Sequence, residues 1–422
     1  MSQGGKIKKR WVALGVLLAL ILIGFLVASN WAAIGTSLAN PMRRLIGADN
    51  VAELEKKLFE IQDTISNWSY QVGLSEPETP WEAPQPASQS ISAAPGNELA
   101  PTPTRIPATS TPLPAMDQAE QPADSNPAAT ETPQPSPTPL PTAAIWMLPD
   151  LKPFGELPGE GVWQPYIYNP QGEVVGLRTF LQPDPERPYA LVAVAALDLN
   201  KTRLHYVLGL KEPAKPGGPH GWGLIPDADR QPGKLLAAFN GGFIYEHGGY
   251  GAMADGLETL AAKHGLATIV IFKDGKVRIG KWGEDITWSR DYESWRQNGL
   301  IIIDDGEINP EVYSETYEWG ANIDGSVITI RSSLGLDQDN RILYYFAGPS
   351  LSMPALTDGM AAAGVHNGML LDINPTHAHF TAMRISGENL VAESLYPEIM
   401  DLWVDRYLQP WDQDFFYLTP KE

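Results

Sequence analysis

The chain of 422 residues contains no cysteine. That excludes disulfides, thiolate metal sites and a cysteine nucleophile, though it leaves the compartment open, since exported proteins can lack cysteine. It is also poor in positive charge, with 30 Lys and Arg against 50 Asp and Glu and a net charge of −20. Four of those basic residues (Lys6, Lys8, Lys9 and Arg10) fall in the first ten positions, leaving 26 basic against 50 acidic residues in the remainder. Phosphate contacts need Lys and Arg, so the chain is no nucleic-acid binder, and its body is repelled by anionic lipid.

Long apolar runs are scarce, and the exception is Trp11 to Ala28, 18 residues without a charge behind the basic tip. A helix of that length just spans a bilayer core of about 30 Å. The basic flank predicts a cytoplasmic N-terminus and an extracytoplasmic remainder, single-pass at the cell membrane. A cleaved signal peptide is the competing reading, and Ser29-Asn30-Trp31 is a mediocre cleavage context. Residues 1–30 are therefore read as basic tip and anchor.

Residues 31–74 carry a second pattern. Val51, Leu54, Leu58, Ile61, Ile65 and Trp68 alternate in steps of three and four, an a/d seam with Glu and Lys on the other faces. The seam predicts either a short coiled coil that would make a homo-oligomer through 51–68, or an amphipathic helix lying on the membrane or on the domain. From residue 75 to 145 Pro, Thr, Ser, Ala and Gln dominate, and no window holds enough apolar residues for a core. This reads as a disordered linker; 70 residues of extended Pro-rich chain reach up to roughly 200 Å.

Residues 146–422 form the globular part. Tyr189 to Leu199, Leu204 to Leu210 and Leu300 to Asp304 are apolar runs, and Thr268 to Phe272 joins Val277 to Gly280 through an Asp274-Gly275 hairpin turn. Ser352 to Ala363 predicts a helix with Ser352 as N-cap and Pro354 in its first turn, and Glu398 to Leu408 predicts another. With hairpins and crossovers interleaved, the expectation is a single α+β domain of mixed β-sheets and flanking helices.

One stretch stands out for chemistry. The buried run Leu235 to Phe239 opens abruptly into Asn240-Gly241-Gly242, followed by Glu246, His247 and further glycines. A rigid strand opening into a glycine turn is a common support for a site, and equally a tight turn with no chemistry. Arg331 ends an apolar strand and needs a carboxylate or an anionic ligand if buried. Asp372, Asn374, His377 and His379 fall within eight residues. In an extended chain the two histidines would share a face, a set that would admit a divalent metal, although no cofactor is certain. Glu246 and Asp372 are the candidate acid/base carboxylates. Trp222, Trp282, Trp288, Trp295 and Trp319 could offer faces to sugars or fill the core.

Several segments taken in order resemble the phosphodiester glycosidase family: Ala238-Phe-Asn-Gly-Gly-Phe243, the hairpin Thr268 to Gly275, Arg296-Gln-Asn298 with Leu300 to Asp304, Arg331-Ser-Ser-Leu-Gly335, and Gly364 to Asp372. The resemblance covers roughly residues 190 to 420. It implies an extracytoplasmic hydrolase of glycosyl-phosphate or related linkages in the cell envelope, with Asp372 and Glu246 catalytic. Asn240, Gly241, Gly242, Arg331, Arg296 and Asn298 would bind substrate, and the partner would be an envelope glycan or sugar phosphodiester. The family's last motif reads Leu-Asp-Gly-Gly-Gly-Ser, where this chain has Leu371-Asp-Ile-Asn-Pro-Thr376. Ile and Pro cannot build the backbone nest that a glycine loop offers an anion. A catalytically inactive glycan-binding or structural module of the same fold is therefore the alternative expectation.

Overall fold

The computed structural model describes residues 63–81, 146–314, 319, 328–373, 377–401 and 403–421. Within them eighteen strands form three sheets. The largest has eight strands in the order β1 (Gln164–Tyr168), β2 (Val174–Leu181), β3 (Val192–Asp198), β14 (Ile342–Leu351), β13 (Thr329–Leu336), β15 (Asn367–Leu370), β11 (Ile301–Asp304) and β12 (Glu307–Ile308). A second, five-stranded sheet runs β7 (Leu257–Leu260), β6 (Ala252–Ala254), β10 (Tyr292–Gln297), β8 (Ala267–Phe272) and β9 (Val277–Lys281). The third, also five-stranded, runs β17 (Asn389–Ser394), β16 (Phe380–Ser386), β5 (Ala237–Asn240), β18 (Phe415–Pro420) and β4 (Thr202–Val207).

Every pairing between these strands is antiparallel, which corrects the expected α+β domain with mixed sheets. The described residues are mostly β. The one helical crossover among them, in the large sheet, keeps to the antiparallel pattern. Helix α1 (Met353–Ala362), N-capped by Ser352 and carrying Pro354 in its first turn, leads from β14 to β15. It sets β15 on the far side of β13, so both neighbours of β13 run opposite to it. The second expected helix fails as well. Asp401 and Asp405 are poor helix formers, and Trp403 adopts a left-handed φ of 53°, so Glu398–Leu408 breaks into the single turn Pro397–Met400 and the 3-10 turn Arg406–Leu408.

Burial follows from layering. All seven residues of β3 are buried, because the large sheet is covered on both faces. On one face Leu356 and Met360 of α1 pack on Val192, Val194 and Phe346. On the other lies an aromatic cluster shared with the third sheet. There Phe239 stacks on Phe380 and Phe416 with ring centroids 5.7 and 5.3 Å apart, and Tyr345 of β14 reaches it at 5.4 Å. Rings of this size carry most of the apolar area a core buries. The Asp274-Gly275 hairpin forms between β8 and β9, with Gly275 at φ 81°.

Among the described residues no helix is long and apolar enough to cross a membrane. The expected anchor, Trp11 to Ala28, lies outside the described residues, as does the coiled-coil seam from Val51 to Ile61. The end of that seam is helical over 63–71, and it packs on the β-domain rather than standing free. Asp63 pairs with Arg187 at 3.2 Å and accepts from the Tyr189 hydroxyl at 2.9 Å. Farther on, Trp81 meets Phe180 edge-on at 5.8 Å, with the Arg178 guanidinium 4.6 Å from its ring. The rest of the expected linker, from residue 82 to 145, lies outside the described residues.

Candidate functional site

β5 is the middle strand of its sheet, held between β16 and β18, so Asn240 at its end is placed by two neighbours. All the hydrogen-bonding capacity of its amide is used inside the protein. Oδ1 accepts from the Tyr345 hydroxyl at 2.8 Å and the His379 backbone N–H at 3.0 Å. Nδ2 donates to the Gly241 carbonyl at 2.9 Å and to Ser332 Oγ at 3.0 Å.

The two glycines that follow are required by close approach. A Cβ on Gly241 would sit 2.0 Å from Asp414 Oδ2, and one on Gly242 would sit 2.9 Å from the Arg296 guanidinium carbon. Asp414 is the centre of this region. Its Oδ2 accepts from Arg296 Nε at 2.8 Å, from the Tyr206 hydroxyl at 2.9 Å and from the Gly242 N–H at 3.2 Å. The Arg296 and Asp414 side chains are 0% and 1% exposed. Arg296 also donates to the carbonyls of Gln297 at 2.7 Å and Phe243 at 2.6 Å. Burial, and then the Asp414 charge, push the Tyr206 phenol well above its usual pKa. Asn298 takes the Phe243 N–H at 3.0 Å and donates to the carbonyls of Leu370 and Leu371, tying the glycine turn to the end of β15.

Asp372 completes the cluster. Its N–H donates to the Gly241 carbonyl at 3.2 Å, and its carbonyl accepts from Ser332 Oγ at 2.6 Å. Its carboxylate, 6% exposed, lies 3.4 Å from Nδ1 of His377, which is 18% exposed. Gln413 Nε2 stands 3.0 Å from the same Nδ1. Asn240, Gly241, Gly242, Arg296, Asn298 and Asp372 thus form one connected network, with the Asp372–His377 pair at its outer edge.

Three expected residues lie elsewhere. Arg331 sits on β13 beside Ser332, and neighbours on a strand face opposite sides. Ser332 turns toward Asp372, whereas Arg331 is buried on the other face and donates to the carbonyls of Leu351 and Trp319, each at 3.0 Å. Glu246 is exposed on the 3-10 turn Tyr245–His247. There it lines an open cavity of about 530 Å³ with Lys215, Tyr245, Gly248, Gly249 and Lys263. His379 does not share a face with His377. Its ring is fully buried against Tyr407, with Nε2 2.8 Å from the Met400 carbonyl, and burial, helped by the Arg406 charge, holds its pKa well below the usual imidazole range. Among the described residues no group of three His, Asp or Glu gathers that could hold a metal ion; Asn374 lies outside them.

The sequence reading missed Asp414, Tyr206, Tyr345, Gln413 and Glu212. Only Asp414 leaves a trace, as an acid directly before the apolar run Phe415 to Leu418. Glu212 accepts the Tyr245 N–H at 2.8 Å and so braces the turn that carries Glu246. Burial raises its carboxyl pKa to about 7, with the Tyr245 N–H acting against the rise and the nearby Glu246 adding to it.

No protein-family model matches the chain, and no curated protein matches it in sequence. Among solved structures it is similar to the zebrafish N-acetylglucosamine-1-phosphodiester alpha-N-acetylglucosaminidase catalytic domain auto-inhibited by its pro-peptide. That match has 16% identity and a TM-score of 0.35, over 62% of this chain and 88% of that one. It is also similar to a hypothetical protein from Synechocystis, at 10% identity and a TM-score of 0.28, over 61% of this chain and 62% of the other. A third match is an exported protein from Burkholderia pseudomallei K96243, at 9% identity and a TM-score of 0.31, over 55% and 74%. Each likeness is a distant one in fold and says nothing of substrate.

Proposed function

We propose that the domain is an extracytoplasmic hydrolase of a glycosyl-phosphate or related glycan linkage, with Asp372 and His377 running the chemistry. The observation that carries this reading is the carboxylate–imidazole pair, 3.4 Å apart, at the edge of an otherwise internally satisfied network. The Asp372 backbone is held from both sides by Gly241 and Ser332, so its carboxylate has a fixed position. His377, its Nδ1 turned to Asp372, gives a proton from Nε2 to the leaving oxygen as the glycosidic C–O bond breaks. The Asp372 carboxylate stabilises the positive charge developing on the sugar ring, and water adds to the anomeric carbon while His377 recovers a proton. The Lys215 and Lys263 ammoniums, which line a cavity with Glu246, suit the anionic end of the substrate. The extracytoplasmic location, tethered through Trp11 to Ala28, rests on the sequence.

The test is sugar release from a panel of glycosyl phosphodiesters by the full chain. Asp372→Asn and His377→Ala are each expected to lower the rate by about 10²- to 10⁴-fold. A wild-type chain that releases no sugar from any member sinks the reading. One observation favours a second reading, a structural module of the same fold without turnover: the polar groups of Asn240 and Asn298 are engaged inside the fold rather than offered to a substrate. Absence of both sugar release and saturable glycan binding would establish it, whereas binding without release would make the domain a glycan-binding module.

A further inference from the structure

We propose that Trp222, Trp403 and Trp411 form a stacking platform for an uncharged oligosaccharide beside the Asp372–His377 pair. This rests on the glycan reading above and extends it to a second subsite. Trp222 is 86% exposed and Trp403 46% exposed. Both are held outward by backbone constraints. Gly223, next to Trp222, has φ 59°, and a Cβ there would sit 2.1 Å from the Trp411 carbonyl. Its own carbonyl accepts the Trp411 N–H at 2.8 Å, so the loop bearing Trp222 is sewn to the Trp411 backbone. Trp403 holds a φ of 53°, a conformation rare for a bulky residue, and its carbonyl is fixed by Arg406 Nε at 3.1 Å. The Trp403 and Trp411 rings meet edge-on at 6.2 Å, and the Arg406 guanidinium lies 5.2 Å from the Trp411 ring. Trp411 is therefore the support, and Trp222 and Trp403 offer the faces.

The position follows from the chain. Trp411 lies two residues before Gln413, whose amide contacts His377, so both are within about 7 Å along the backbone. Chemistry selects the occupant. Asp401, Asp405 and Asp412 are exposed and alternate with Trp403 and Trp411 along the chain, Asp412 pairing with Lys211 at 2.6 Å and Asp401 accepting from the Ser394 hydroxyl. Carboxylates near aromatic rings accept hydroxyl hydrogens while the rings take the C–H faces of pyranoses, and three of them against the single Lys211 disfavour an anionic glycan. A protein partner would instead call for a continuous apolar patch.

The test is titration of the full chain with cellohexaose and chitohexaose, followed by tryptophan fluorescence and calorimetry, with an oligogalacturonate hexamer as the anionic control. Saturable binding of at least one neutral hexasaccharide is expected, about tenfold weaker in Trp222→Ala and in Trp403→Ala. Trp222→Phe, which keeps a ring face, should retain most of the affinity, and unchanged far-UV dichroism shows the variants are folded. No binding of either neutral hexasaccharide, equal binding by the Ala variants, or tighter binding of the anionic hexamer overturns the platform. Hexasaccharide binding without hydrolysis of any phosphodiester overturns the hydrolase reading and leaves the platform standing. Hydrolysis without hexasaccharide binding does the reverse.

Discussion

The network around Asn240, Arg296 and Asp414 and the rim groups, Asp372 with His377 and, apart from them, Glu246, all rely on polar and charged side chains, yet they use them differently. In the first, polar groups are buried and answered from within: the Arg296–Asp414 pair is sealed from solvent, and Asn240 is held by four partners. In the second, a part-exposed His377 stands beside a nearly buried Asp372 carboxylate, and Glu246 faces an open cavity. The histidines two residues apart make the contrast sharpest, since His377 stands at the rim beside Asp372 while His379 is enclosed by Tyr407 and Met400. Motifs that resemble a binding set can thus be the frame of a site rather than its contact surface. Buried polar networks of this kind are satisfied or ruinous, whereas rim groups can change with little effect on folding.

That contrast is easiest to break at Asp414. Replacing it with Ala strands the buried Arg296 charge and is expected to lower unfolding stability by about 3–5 kcal/mol, read as a shift in denaturant midpoint. A loss under about 1 kcal/mol would mean the network is not the frame described. A smaller effect should come from His379. The unfolded imidazole titrates near 6.5 and the buried one lower, so the neutral ring contributes stability fully above about pH 6.5, and this is lost as pH falls below that value. Urea midpoints of the wild type should drop between pH 7 and pH 5 more steeply than those of His379→Gln; parallel curves would refute the assignment. Glu246→Ala should do least, changing stability by no more than about 0.5 kcal/mol, because the side chain is exposed. A large destabilisation there would move Glu246 out of the rim and into the frame.

Much of the local structure was legible. The apolar run at Val192–Asp198 became a fully buried strand, Asp274-Gly275 made its hairpin, and Ser352 capped the helix it precedes. These depend on neighbours a few residues away, where period and turn chemistry decide. The convergence of the glycine turn with Arg296, Asn298 and Asp372 was legible only through the resemblance, because nothing local joins them. Tertiary structure decided the rest. It chose which face of β13 Arg331 occupies, made every strand pairing antiparallel, and brought Tyr345 to Asn240 from 105 residues away and Asp414 to Arg296 from 118. The sequence by itself determined where strands and turns fall, since backbone preference is local. Which polar group answers which depended on strands from different sheets meeting across a shared core, a choice no stretch of sequence contains.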